Sequence, residues 1–183
     1  MLLTGLLPDI TTDPAIETAT DSVEAGRSGT IVAPVGIRPP LLAAVASRAA
    51  TPLVVLTATG RDAESLTNAL ASWIPGVATL PAWETLPHER LSPQVDTMAR
   101  RIAVLRRLVH PIKGDDSAGP LSVLVVPIRA FLQPIISGLA DLEPVRVRTG
   151  DILDLTETTN RLAELGYERV DMVEGRGQMS VRG

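Results

Sequence analysis

Residues 32–40 read Val32-Ala33-Pro34-Val35-Gly36-Ile37-Arg38-Pro39-Pro40. They follow a β-branched run and precede a helical pattern, which is where an α/β protein would carry a phosphate cradle. Such a cradle needs glycines for close backbone approach, then a lysine and a hydroxyl for phosphate and Mg²⁺. This stretch offers one glycine, Gly36, and sets Pro39 and Pro40 where the lysine and hydroxyl belong. Proline has neither a backbone N–H nor a charge, so the anion site of this helix N-terminus loses its donors. Gly36, Arg38, Pro39 and Pro40 therefore read as a degenerate nucleotide site. A role for Arg38 as a makeshift phosphate clamp competes with a plain proline-started helix.

Three further groups invite chemistry. In Leu80–Pro93, Trp83, Glu84, His88, Glu89 and Arg90 offer acid and base functions, but nothing beside them fixes a nucleophile or a metal, and Pro81, Pro87 and Pro93 suggest an ordered structural loop. The chain has no cysteine, and His88 and His110 cannot form a zinc cage alone. On the following helix, Arg100 and Arg107 lie opposite the expected apolar stripe, with Arg101 and Arg106 at its flanks. They suit a solvated face with salt bridges, or contact with an acidic partner or nucleic acid. Four aromatic residues in all leave no stacking platform for single strands. Last, a two-residue Gly175-Arg176 hairpin would pair Met172 with Met179, Val170 with Val181, Asp171 with Ser180, and Arg169 with Arg182. Two arginines directly opposed repel each other, which suits an acidic surface laid over them or local neutralisation by Asp171.

The elements that must position these groups follow from periodicity. Thr30–Val35, Pro52–Thr57, Leu121–Val126 and Val77–Leu80 are short apolar runs, the continuous kind expected of parallel strands covered on both faces. Between them, Pro39–Ala49 and Asp62–Trp73 read as crossover helices. A third helix has Ser92 as N-cap, Pro93 at its first position, and Val95, Met98, Ile102, Leu105 and Val109 in one stripe, ending before Pro111. Lys113–Pro120 reads as a surface loop. After Asp141 the pattern changes: Val145 and Val147 alternate with arginines as in a half-exposed strand, and Asp154 with Glu157 starts a helix ending at Gly166.

The chain has 183 residues, 45% hydrophobic, enough for one full domain and the start of another. No apolar run is long enough for a membrane span or a signal peptide, so a cytoplasmic location is expected. A net charge of −4 argues against a surface that grips nucleic acid throughout. Sixteen of the seventeen basic residues are arginine, as a GC-rich genome would also produce.

Trp83-Glu84-Thr85-Leu86-Pro87, Leu91-Ser92-Pro93, and Gly166-Tyr167-Glu168-Arg169-Val170-Asp171 through Val181-Arg182-Gly183 occur in an order that resembles the N-terminal UvrB-homology region of bacterial transcription-repair coupling factors. The resemblance implies an α/β, three-layer P-loop-NTPase-like (RecA-like) domain with a degenerate phosphate loop at residues 29–140, after a lead-in at 1–28. The start of a smaller α+β, UvrA-binding domain follows at 141–183. UvrB itself has an intact P-loop and an aromatic-rich hairpin that clamps DNA, and both signatures are missing here. The implied role is a non-catalytic, UvrA-recruiting module that links stalled transcription to nucleotide excision repair. Arg182 matches the arginine of the family's Arg-Gly motif that contacts UvrA, and Arg169 matches another contact position. Ser180 stands where UvrB has a further arginine. No cofactor is implied for these residues. ATP, Mg²⁺, RNA polymerase and DNA are implied only through other parts of a longer parent, an ATP-dependent translocase that displaces stalled polymerase and masks the UvrA surface against its own domains. The alternatives are a nucleotide-binding UvrB-like or helicase subunit, and an α/β module for a small ligand.

Overall fold

The computed structural model describes residues 3–84 and 94–182. Three parallel strands, β1 (Leu53–Thr57), β2 (Val77–Thr79) and β3 (Val123–Pro127), form a sheet in the order β1-β3-β2. Leu53 and Val77 both align with Val123 across the ladders. Every residue of β3 is buried, because side chains of a central strand alternate between two covered faces. Val123 and Val125 enter a cluster with Ala43, Ala46, Ala63 and Leu70. Leu124 and Val126 enter another with Leu80, Val104, Leu105 and Ala130.

Those clusters name the outer layers. Helices α1 (Leu7–Thr11) and α2 (Pro14–Glu24) turn the expected lead-in into ordered structure. Pro14 starts α2, and the Asp13 side chain accepts from the Ala15 and Ile16 amides, as an N-cap should. Helix α3 (Arg38–Arg48) ends on Arg48, whose guanidinium binds Asp21 at 2.9 Å, Glu24 at 2.7 Å and the Thr20 hydroxyl at 2.9 Å, holding α2 to α3. Helix α4 (Gly60–Leu70) is capped by Thr59, which accepts from the Asp62 amide and donates to its carboxylate. Together α3 and α4 cover one face of the sheet. Helices α5 (Val95–Val109) and α6 (Ile128–Phe131) cover the other.

Two expected strands do not form. Residues 30–34 are irregular, Val35–Ile37 is a 3₁₀ turn, and Val32 is 95% exposed. Residues 145–148 are also irregular. Both segments have the composition of a strand and lack a hydrogen-bonded neighbour among the described residues, and a strand cannot be stable without one.

Helix α5 departs from its expected face. Gln94 is extended and is the N-cap, and the helix runs from Val95; the expected Ser92 cap and Pro93 start lie outside the described residues, as do His88, Glu89 and Arg90. The buried side chains are Thr97, Arg101, Val104 and Leu105, while Val95, Met98 and Val109 are exposed. The buried face is thus turned from the apolar stripe by about one residue step, roughly 100°.

Beyond α5 lies the loop expected at 113–120. Asp115 Oδ1 accepts from the Ser117 hydroxyl and from the Ser117 and Ala118 amides, and Arg146 reaches its other oxygen at 3.1 Å. Those hydrogen bonds, led by the Ser117 hydroxyl, lower the Asp115 pKa to about 2. Helix α7 (Leu155–Glu164) has the expected Asp154 cap on the Glu157 amide. It closes at Gly166, at φ +88°, with the Tyr167 amide reaching back to Leu162, as in a glycine-terminated helix end.

Candidate functional site

The arginines at 169 and 182 were expected face to face in an antiparallel hairpin, and the structure corrects that. β4 (Glu168–Arg169) and β5 (Gln178–Met179) run parallel, and Arg169 aligns with Met179. The Glu168 amide donates to Gly177 O at 2.8 Å and the Val170 amide to Met179 O at 2.9 Å. Gly175-Arg176 is not the whole turn, because Gln178 Oε1 accepts from the amides of Glu174 and Gly175 and closes a wider loop. Gly177 within it takes φ +80°, a backbone state that glycine reaches without penalty.

Arg169 and Arg182 nevertheless share a site. They line a cleft of about 530 Å³ with Val170, Asp171, Ser180 and Val181. Its floor is fixed by the Asp171 carbonyl, which accepts from the Ser180 hydroxyl at 3.0 Å and from Arg182 Nη2 at 2.9 Å. Arg182 is therefore oriented by a neutral oxygen, and both arginines are exposed. Two planar cations beside a hydroxyl on an open wall suit carboxylates on a protein surface, since guanidinium matches carboxylate in two-point contact.

The degenerate nucleotide site offers much less. Gly36 sits in the 3₁₀ turn Val35–Ile37 with open space around its α-carbon, and it is not among the glycines of positive φ. Arg38 is the first residue of α3, and Pro39 and Pro40 follow it in the first turn, with Pro40 buried. Two of the amides that would face an anion at this terminus are absent, because both residues are prolines.

The arginines of α5 combine the salt bridge expected of a solvated face, at Arg100, with contacts that sequence did not anticipate. Arg101, placed at the flank of a stripe, is 1% exposed. Its guanidinium stacks 4.5 Å from the Trp83 ring centroid and donates to Pro81 O at 2.5 Å, and burial lowers its pKa. Among the described residues Nε has no acceptor. Arg100 pairs with Glu64 at 2.5 Å, Arg107 donates to Gly119 O, and Arg106 donates to Leu142 O. These side chains hold neighbouring segments in place instead of forming a free basic face. Trp83 and Glu84 are held likewise: the Trp83 amide donates to Gln133, and the Thr97 hydroxyl donates to the Glu84 carboxylate. Burial resists ionisation of Glu84, but the bonds from Thr97 and from backbone amides outweigh it and lower its pKa. His110 meets Asp141 at 2.7 Å. Among the described residues no group of acidic residues or histidines is arranged to hold a metal, and no helix is long and apolar enough to cross a membrane.

Residues 145–183, which include the arginine cleft, match the family described as the UvrB interaction domain. Over 157 residues the chain is 47% identical to the transcription-repair-coupling factor of Mycobacterium tuberculosis, covering 84% of this chain and 12% of that protein. It is 27% identical to the Escherichia coli factor over 145 residues, 78% of this chain and 12% of the relative. Against the Myxococcus xanthus factor it is 32% identical over 111 residues, 60% and 9%. The chain spans 12% or less of the length of these curated relatives. Fold and match together define the class: an α/β-sheet protein whose chain runs on into a UvrB interaction domain. Over most of its length the chain is similar to one segment of the transcription-repair-coupling factors.

Proposed function

We propose that the chain is a non-catalytic docking module that recruits UvrA and so links stalled transcription to nucleotide excision repair. The observation that carries this reading is the coincidence of the UvrB interaction match at residues 145–183 with an exposed cleft lined by Arg169 and Arg182. On this reading the partner presents carboxylates to the two guanidinium groups, while the Ser180 hydroxyl is committed to the Asp171 carbonyl and supplies no third cation.

The first three-layer unit, residues 29–140, is read as a RecA-like domain that has lost its phosphate cradle. Residues 1–28 brace it, and 141–183 begin the partner-binding domain. The support is the parallel sheet with helices on both faces and the prolines in the first turn of α3. No nucleotide or metal is required by these residues. In a longer parent, ATP-driven translocation, RNA polymerase and DNA belong to other domains, which also mask the UvrA surface, and the parent works in the cytoplasm.

Analytical ultracentrifugation of the chain with purified UvrA tests the proposal. A complex is expected to form, and calorimetry of the chain alone with ATP and Mg²⁺ is expected to show no binding. Absence of any complex at tens of micromolar, or calorimetric binding of ATP by the chain alone, would overturn it.

A further inference from the structure

The turn that carries the arginine cleft is fastened to the first turn of α5 by two contacts of different kinds. Arg176 Nε meets Asp96 Oδ1 at 2.9 Å. One residue on, a β-carbon added to Gly177 would lie 3.2 Å from Val95 Cγ1, at a backbone φ of +80°. Gly177 therefore has two independent reasons to be glycine: left-handed backbone, and close approach to a neighbouring side chain. Its carbonyl accepts from the Glu168 amide, so the same residue joins β5 to β4 beside Arg169. Val95, left exposed when the buried face of α5 turned away from the apolar stripe, is the surface on which the turn rests.

A second tie lies at the other end of α5, where Arg106 donates to Leu142 O at 3.0 Å. Ten residues of helix separate Asp96 from Arg106, about 15 Å, so α5 grips the 142–182 segment near its beginning and near its end. The small sheet of this segment has only two residues per strand, too little to hold its own shape. The shape of the cleft must come from what it is fastened to.

We infer that Asp96, Val95, Arg176 and Gly177 form a latch that positions the arginine cleft, making α5 a determinant of partner affinity although it does not touch the partner. This rests on the proposed recruitment of UvrA. The exposed ion pair contributes weakly by itself, since such pairs are screened; the seat of Gly177 on Val95 is the stronger half.

The test uses the 183-residue chain with Gly177→Ala, Arg176→Glu, Asp96→Arg, and the Arg176→Glu/Asp96→Arg exchange. Two readouts are taken: hydrogen exchange at the Glu168 and Val170 amides, and affinity for UvrA. Gly177→Ala should speed exchange at both amides roughly tenfold and weaken affinity by a similar factor. Each single charge reversal should weaken both readouts about two- to fivefold, and the exchange of charges should recover at least half of the loss. The latch is refuted if Gly177→Ala leaves amide exchange unchanged, or if the exchanged pair is no better than the two reversals summed. Exchange that responds as expected in a chain that never binds UvrA would refute the recruitment reading and the latch's role in affinity, while leaving the contact itself.

Discussion

Replacing Arg101 separates two contributions that the structure superimposes. The side chain is 1% exposed, stacks on Trp83, donates one hydrogen bond to Pro81 O, and leaves Nε without an acceptor among the described residues. Arg101→Ala removes a cation–π contact worth about 1–2 kcal/mol, a charged hydrogen bond worth about 1.5–3 kcal/mol, and the packing of a long stem, which leaves a cavity. Against this it relieves a buried, incompletely bonded charge, about 1–3 kcal/mol in the opposite direction. The balance is a loss of roughly 2–4 kcal/mol, or about 4–16 °C in Tm for a chain of this size. Arg101→Met keeps most of the volume and stem packing and removes the same charge, so it should cost no more than about 1.5 kcal/mol. Urea denaturation followed by tryptophan fluorescence reads both, since Trp83 itself reports the site. Equal destabilisation by Ala and Met would refute the reasoning, because the charge and not the packing would then be what the fold requires.

Three further outcomes follow from the structure. The Asp115 carboxyl is held at about 2 against an ordinary 3.8, so the folded state binds fewer protons than the unfolded one between those values. The stability it contributes is complete above about pH 4 and lost as pH falls toward 2, and Asp115→Asn should flatten that part of the acid-unfolding profile. Gly76→Ala should destabilise by at least about 2 kcal/mol in chemical denaturation, because a β-carbon there, at φ +73°, would lie 2.7 Å from Pro120 O. Leu70→Ala, at a wholly buried position under β3, should cost about 2–5 kcal/mol, read as a lower urea midpoint with an unchanged slope.

Much of the layered architecture was legible because burial imposes period. β1, β2 and β3 fall on the apolar runs, and α3, α4 and α5 lie within a few residues of their periodic patterns. The caps at Asp154 and Gly166 are local events and were read correctly from side-chain chemistry. What failed depended on distant partners. Thr30–Val35 has strand composition, yet among the described residues no strand edge accepts it. The face of α5 was set by Arg101 burying itself against Trp83, an eighteen-residue separation that helical periodicity does not encode. The hairpin register assumed that Gly175 governed the turn, whereas Gln178 closes it and Gly177 bends it. Arg169 and Arg182 still line one cleft, brought together by a parallel ladder and the Asp171 carbonyl instead of by facing positions. The tie of Arg176 to Asp96 carried no signal in sequence, since it joins two exposed charges eighty residues apart.

Isothermal titration of UvrA with the chain and with its Arg169→Glu/Arg182→Glu variant addresses the recruiting cleft most directly. Two exposed guanidinium groups facing carboxylates predict a loss of at least roughly 100-fold in affinity for the charge-reversed chain, with the unfolding midpoint unchanged. Equal affinity of the two proteins for UvrA would contradict the account.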